Sequence, residues 1–349
     1  MCGIIAIARR RSEREPEPVE PLLERLEQAG GHLSSADGSL RDRLEAAAAQ
    51  LEAVDEALRG VPGVRTLLGS ADGAASIDRL IATLSASAER IEAELDDSHA
   101  AAVAGVTAED RDELEATNAA LIRCKDALWA IGRDRLRAAD RVAGLGGDEL
   151  PPAGVAVLFS VHQSLSALDR LEVRGRDSAG VEIQLTGHGL DADDPTVRRL
   201  LEQRSHPGFT SGAVRLRGET LVIVHKAAAE IGELGDNTAV LREAMRNDEL
   251  LQLALASPEV EGLVLGHTRW ASIGIISEPN AHPQCSDELD TPRRALRLRR
   301  AQRRRRQLRG PDRRRGPAHL HRDHHRRQGH PDADVAPPVR GPGAERGLP

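Results

Sequence analysis

The sequence begins Met1-Cys2-Gly3-Ile4-Ile5-Ala6-Ile7-Ala8, and this stretch decides the fold. Removal of Met1, which the small Cys2 permits, leaves an N-terminal cysteine that carries both a thiol and a free α-amine. An unperturbed α-amine has a pKa of about 7.7–8.0, so it can act as the base for its own thiol. The apolar run 4–7 predicts a short buried strand that holds this nucleophile in a sheet. The alternative is an ordinary start codon followed by a strand.

Composition restricts the class of protein. The 349 residues include no Tyr, two Phe and two Trp, so the core must be aliphatic. The three cysteines, Cys2, Cys124 and Cys285, are widely spaced, which favours a reducing cytoplasm and offers neither a disulfide framework nor a zinc-binding spacing. No apolar run reaches the roughly 18 residues of a membrane span, and no signal peptide is recognisable. We therefore expect a cytoplasmic protein without bound metal.

Charge divides the chain unevenly. Residues 291–349 contain 18 Arg, no Lys and five acidic residues, a balance of +13, so the overall charge of −7 leaves −20 for the preceding residues. This last segment is rich in Arg, Pro, Gly and His and has no aliphatic periodicity, which predicts a disordered basic tail. Such a tail could contact phosphates, but no aromatic residue is interleaved with the arginines, so nucleic acid is not the favoured partner.

Residues 13–150, after a first segment 1–12, have a helical pattern of apolar residues three and four apart. The pattern predicts a helical bundle or a pair of antiparallel hairpins inserted after the first strand. Trp129 is predicted to lie in its core. The predicted helices cover residues 22–26, 40–58, 77–95 and 108–145, with breaks at Gly30-Gly31, at residues 60–63 and at residues 96–98.

Residues 151–290 change to a strand-rich pattern. A helix is expected at residues 155–171, followed by a polar turn over residues 171–180, and a second helix at residues 237–255. The alternation predicts strands at residues 181–185, 213–216, 220–225 and 262–267. Strands with helices packed against them give an α+β class, with an all-α insertion.

A concentrated polar motif follows the last predicted strand. It reads Gly266-His267-Thr268-Arg269-Trp270-Ala271-Ser272-Ile273-Gly274 and continues with Asn280-Ala281-His282-Pro283. Arg269 could grip a carboxylate with two hydrogen bonds, and Trp270 could close over an aliphatic stem. The alternative is an Arg and a Trp that pack together on the surface.

Three stretches, residues 1–5, 171–180 and 266–283, occur in the order found in class II, N-terminal-nucleophile glutamine amidotransferases. The chain most resembles the glutaminase domain of the glutamine–fructose-6-phosphate aminotransferase family, which makes amino sugars. Amidophosphoribosyltransferases share the Cys-Gly-Ile start, but they usually carry Glu and Tyr where this chain has Asp177 and Trp270. The resemblance covers residues 1–10 and about 151–290, and it implies an N-terminal-nucleophile sheet-and-helix domain.

The resemblance also implies a reaction. Cys2 would attack the side-chain amide of glutamine, release ammonia and form a thioester, which water would resolve to glutamate. Arg269 would hold the substrate α-carboxylate and Trp270 would act as a gate. The other implied site residues line the pocket or its wall: Ser272, His282, Arg174 and Asp177. The alternative for the last pair is a self-paired Arg-Gly-x-Asp turn. No cofactor is implied, and the partners would be glutamine and, in a complete protein, a sugar phosphate acceptor.

The sequence departs from this family in three ways. Ser272 and Ile273 stand where the family commonly has Thr and His, and the insertion interrupts a usually short connection. After Cys285 the family would show an Asn-Gly pair that forms the oxyanion hole, then an acidic residue for the substrate amine, and neither is present. Loss of one oxyanion donor typically costs ~10²–10³ in rate. We therefore expect an impaired glutaminase that lacks sugar-binding domains.

Two accounts of the tail remain. Read one nucleotide later, the codons for residues 302–308 can encode Asn-Gly, which makes a frameshifted longer gene our favoured hypothesis; the nucleotide sequence from the codon for His282 onward tests it. The other account is a non-catalytic protein whose acidic helical region and basic tail mediate binding.

Overall fold

A computed structural model of the chain describes residues 2–101, 107–146, 149–204, 210–228, 233–272 and 274–284. These residues form helices packed beside one five-stranded antiparallel sheet, which confirms the α+β class. The strands are β1 (Gly3–Ala8), β2 (Ser178–Thr186), β3 (Ala213–Arg217), β4 (Thr220–Ala227) and β5 (Glu261–Arg269). The helices are α1 (Val19–Ser34), α2 (Leu40–Ala57), α3 (Gly60–Leu68), α4 (Ala71–Ala101), α5 (Ala108–Trp129), α6 (Arg137–Gly146), α7 (Pro152–Leu171), α8 (Pro195–Glu202), α9 (Asp236–Arg246) and α10 (Glu249–Leu255).

The first helix continues through a predicted break. α1 contains both Gly30 and Gly31, although a glycine in a helix costs about 1 kcal/mol relative to alanine. Ala29 and Leu33, on either side of the pair, are buried in the core. The prediction of a break here is wrong because burial of the apolar face outweighs the low helix propensity of two glycines.

The structure also differs from the sequence prediction at the other two predicted helix breaks. α4 continues through residues 96–98, so this break is also wrong. Asp96 and Asp97 are exposed, and their charges therefore remain hydrated within the helix. The break at residues 60–63 is displaced, because α2 already ends at Ala57 and α3 begins at Gly60, whose φ of 71° lets the chain turn.

The last predicted helix of this region is continuous but irregular. A Thr107–Asp110 capping box begins α5, and a π-helix, Ala130–Leu136, joins α5 to α6. The buried face passes through Leu128 and Ile131, so the neighbouring Trp129 points outward and is 59% exposed. The prediction that Trp129 lies in the core is therefore wrong.

The helix α7 is central to the packing. On one side it contacts α3 and α6 of the helical region, and on the other it contacts β1 and β5. One hydrophobic cluster of buried residues extends from α1 through α7 into the sheet. The helical region and the sheet thus share a continuous core.

The sheet has the strand order β1-β5-β2-β4-β3, with every neighbouring pair antiparallel. β1 lies at an edge and pairs with β5 alone. Its residues alternate in exposure, and Ile4 is 43% exposed. The prediction of a strand is confirmed, but the prediction that this strand is buried is wrong, because an edge position leaves one face of it accessible to solvent.

The two faces of the sheet differ chemically. The face toward α7 and α9 is apolar and includes Ile5, Val181, Ile183, Leu221, Ile223 and Val264. Gly266 lets α7 approach closely, since a Cβ there would lie 2.5 Å from Ser164 Oγ. By the alternation of strand residues the opposite face carries polar side chains, including Ser178, Glu182, Lys226, His267 and Arg269. This polar face contains the candidate site.

The helices in the strand-rich region, residues 151–290, also differ in part from those predicted from the sequence. The single helix predicted over residues 237–255 is two helices, since the Asp248 side chain accepts a hydrogen bond from the Leu251 N–H and caps α10. The helix α8, which begins with Asp194 as N-cap and Pro195 in its first turn, was not predicted from the sequence. Among the described residues no helix has both the length and the apolar character needed to cross a membrane.

Candidate functional site

Three distant sequence segments meet at one end of the sheet. β5 is antiparallel to both β1 and β2, so the end of β5 lies beside the beginnings of the other two strands. Cys2 directly precedes β1, Asp177 directly precedes β2, and Arg269 ends β5. The sheet therefore brings together a thiol, a carboxylate and a guanidinium that the chain separates widely.

Cys2 is exposed, and the residue after it is fixed in place. The Gly3 N–H donates a hydrogen bond to Thr268 Oγ1 at 3.2 Å, across 265 positions of sequence. A Cβ on Gly3 would lie 2.8 Å from the Leu171 side chain, so glycine allows the strand to lie against the end of α7. The backbone next to the thiol is thus held from both sides.

Asp177 connects two of the three segments. Its N–H donates to the Arg269 carbonyl oxygen at 3.2 Å, and its carboxylate accepts a hydrogen bond from the Ala271 N–H. The carboxylate therefore orders the loop that follows Arg269. Arg174 lies in a 3₁₀ turn, Glu172–Arg174, between α7 and β2.

The other predicted residues lie in or near the loop after β5. Arg269 is buried, and its Nη1 lies 3.5 Å from the Ile275 carbonyl oxygen. Trp270 is 53% exposed, and Ser272 is exposed with its N–H donating to the Trp270 carbonyl oxygen at 3.0 Å. The binding roles of these three side chains remain predictions.

His282 returns to the sheet and faces a second histidine. The rings of His282 and His267 have their centroids 4.6 Å apart and tilted by 52°. Burial and, more weakly, the neighbouring His282 and Arg269 lower the pKa of His267 to about 4, so its imidazole is neutral at pH 7. Its Nδ1 is buried without a hydrogen-bond partner in the described part of the chain.

Sequence reasoning missed two residues here. Thr268 and His267 both lie within the quoted motif but were assigned no role. The strand register places Thr268 opposite Gly3 and His267 opposite Gly180, and this brings both residues into the site. Strand register depends on pairing between distant segments, so no local sequence pattern predicts it. Ile273, Cys285 and the tail, where the absent Asn-Gly pair was expected, lie outside the described residues.

Gly180→Ala should open this site. A Cβ at residue 180 would lie 2.2 Å from the His282 carbonyl oxygen, a backbone atom that must then move. We expect the free energy of unfolding to fall by about 1–3 kcal/mol, as in other overpacked sites. Hydrogen exchange measured by mass spectrometry should be faster in residues 274–284.

Gly31→Ala is the matched control, because a Cβ there meets no atom within 4 Å. Alanine should stabilise the helix at that position by about 1 kcal/mol. Unchanged exchange over residues 274–284 in the Gly180 variant would contradict the close packing of His282 on β2.

Comparison of the chain with protein-family models, with curated proteins and with solved structures finds no match.

Proposed function

We propose that the chain is the glutaminase part of a sugar-amidating synthase, with Cys2 as nucleophile, and that its hydrolysis of glutamine is impaired because the Asn-Gly pair of the oxyanion hole and the sugar-binding domains are missing from the sequence. The observation that carries this proposal is the convergence of Cys2, Asp177 and Arg269 at one end of the sheet. These three residues come from the three sequence stretches that resemble the amidotransferase family.

The proposed reaction uses few groups. The Cys2 α-amine takes the thiol proton, and the thiolate forms a bond to the carbonyl carbon of the glutamine side chain. Collapse of the tetrahedral intermediate breaks the C–N bond, and the amine returns the proton to the leaving ammonia. Water then attacks the thioester, which releases glutamate and restores the thiol. Glutamine and water are thus converted to glutamate and ammonia.

Substrate placement follows from the polar face of the sheet. Arg269 is the cation nearest to the end of β5 and is proposed to pair with the substrate α-carboxylate. Neutral His267, with its buried Nδ1, can exchange a hydrogen bond with the substrate without adding charge. Trp270, Ser272 and His282 are proposed to cover the glutamine stem.

The test is covalent labelling, because it requires attack by the thiol and no complete turnover. A diazoketone analogue of L-glutamine should add once to the full chain, and peptide mass spectrometry should place the adduct on Cys2. The same spectrum must show an N terminus without Met1. Glutamine should protect against labelling, and Cys2→Ser should abolish it.

Cys124 is an internal control for thiol reactivity. It is buried, and burial raises the pKa of its thiol to about 11. At pH 8 only about one Cys124 in a thousand is a thiolate, so it should stay unlabelled. Labelling of Cys2 by iodoacetamide but not by the glutamine analogue would show an exposed thiol without a glutamine site, and would overturn the proposal.

A further inference from the structure

A second polar cavity lies away from the candidate site. It has a volume of about 730 Å³ and is formed by the π-helix, α6, α7 and the first part of α9. Its lining contains six arginines but only two aspartates, and it shares no residue with the site around Cys2. This volume is within the range of cavities that bind small molecules.

Most of these arginine side chains have no hydrogen-bond or ion-pair partner among the described residues. Arg135 is paired, since its Nε donates to Asp55 Oδ1 at 2.9 Å. In contrast, the side chains of Arg133, Arg137 and Arg141 form no hydrogen bond or ion pair with any described residue. Arg137 and Arg141 are four residues apart in α6, a spacing at which like charges destabilise a helix. The chain thus maintains a concentrated positive charge at a cost in stability.

Two buried polar atoms belong to side chains that line the same cavity. Arg242 Nη1 and His162 Nδ1 are inaccessible to solvent and lack hydrogen-bond partners in the described part of the chain. The pKa of Arg242 is lowered by burial and, more weakly, by Arg141 and Arg137. The pKa of His162 is lowered to about 4, first by burial and then by Arg242, Arg141 and Arg137.

The described residues only partly balance the positive charge of Arg242. Asp169 attracts it, but the Asp169 carboxylate also accepts a hydrogen bond from the Thr238 hydroxyl. A buried polar group without a partner destabilises the folded state. A ligand that supplies anionic oxygens would satisfy Arg242 and relieve the repulsion within α6.

We propose that this cavity binds a phosphorylated small molecule, with Arg137, Arg141 and Arg242 as its phosphate ligands. Guanidinium groups match phosphate oxygens with paired hydrogen bonds and stay charged when partly buried. The cavity is larger than a single phosphate group requires, and Gln163, Ser166 and His162 offer polar contacts to an organic part. A π-helix in the wall is itself a frequent feature of functional sites.

The test measures binding to the full chain by isothermal titration calorimetry. Inorganic pyrophosphate reports the phosphate contacts alone, and adenosine 5′-triphosphate reports whether an organic part adds affinity. Arg141→Gln with Arg242→Gln should weaken binding of both probes at least about tenfold, since two charged donors are lost. Without ligand, the same double variant should unfold at the same temperature as the wild type or higher, because it removes repulsion.

Arg246→Gln is the matched control, since Arg246 belongs to α9 but not to the cavity lining. It carries the same change of charge and should alter affinity less than about twofold. The basic segment 291–349 is identical in all variants, so any binding to it is common to all of them.

Three results would overturn the proposal. The double variant could bind pyrophosphate as tightly as the wild type, Arg246→Gln could lose as much affinity, or a short RNA could bind through the cavity arginines while neither small molecule saturates. If circular dichroism shows that the double variant does not fold, the exposed Arg137→Gln gives the same comparison with less disturbance.

Discussion

Asp248→Ala is expected to lower the free energy of unfolding by about 3–5 kcal/mol, because it leaves the partly buried Arg204 guanidinium without its carboxylate partner. Asp248 is 3% exposed, and Arg204 donates two hydrogen bonds to its carboxylate, one of them at 2.8 Å. His225 Nε2 lies 3.0 Å from the same carboxylate. The residue also caps α10, so one carboxylate joins the segment after α8, the strand β4 and the start of α10.

The acid dependence of this cluster has a definite sign. Burial alone would raise the pKa of Asp248, but His225 and Arg204 outweigh it and lower the value to about 2. Because the folded pKa is below the unfolded one of about 3.9, the stabilisation is fully present above pH 4. It is lost as the pH falls from about 4 to 2.

Urea unfolding of Asp248→Ala and Asp193→Ala at pH 7 measures the first prediction. Asp193 is the control, since it pairs with Arg198 at 3.2 Å on the surface, where such a pair contributes about 0–1 kcal/mol. Equal losses in the two variants would show that the buried cluster contributes no more than a surface ion pair.

Two histidines whose pKa values are lowered in the folded state should make the chain less stable in weak acid. Burial lowers the pKa values of both His162 and His267 to about 4, whereas an unfolded histidine titrates near 6.5. At a pH between about 4 and 6.5, each of these histidines is protonated in the unfolded chain and neutral in the folded chain. The free energy of unfolding should therefore fall by about 2 kcal/mol for each histidine between pH 7 and pH 5.

Single and double His→Gln variants, unfolded by urea at pH 7 and at pH 5, measure this effect. Each single variant should reduce the loss between the two pH values by about 2 kcal/mol, and the double variant by about 4 kcal/mol. Additivity is expected because His162 is on α7 and His267 is on the opposite face of the sheet. If the free energy of unfolding of either single variant falls between pH 7 and pH 5 as much as that of the wild type, groups other than that histidine take up the protons.

Local periodicity predicted most elements correctly. The helices α2 and α7 and the strands β3, β4 and β5 agree with the expected ranges to within three residues at each end. These segments have an apolar face with a clear period of 3.6 or 2, and burial of that face also stabilises them in the fold. Their propensity and their packing favour the same structure.

The errors occur where packing opposes a local signal. Gly30 and Gly31 remain helical because their neighbours are buried, and Trp129 is exposed because the buried face passes beside it. The N-cap of Asp248 divides a helix that the pattern read as continuous. For the two glycines and Trp129 the deciding contacts come from distant segments, whereas the Asp248 cap is a local contact that apolar periodicity does not report.

In the candidate site, too, the sequence predicted some features and others depend on contacts between distant segments. Its motif residues, Cys2, Asp177, Arg269, Trp270 and His282, could be selected from sequence by resemblance to one family. The hydrogen bonds that the Gly3 N–H donates to Thr268 and the Ala271 N–H donates to Asp177 could not be predicted from the sequence, because they depend on strand register. The arginine-lined cavity was also absent from the sequence analysis, because its arginines belong to separate helices.

The sequence by itself determined the α+β class, the uneven charge and the order of the three motifs, because composition and short-range periodicity depend only on neighbouring residues. The tertiary structure alone decided that β1 is an edge strand, that the motifs meet at one end of the sheet and that Arg137, Arg141 and Arg242 line one cavity. Strand order and helix packing follow from burial of apolar faces contributed by the whole chain, and this burial is a property of no single segment.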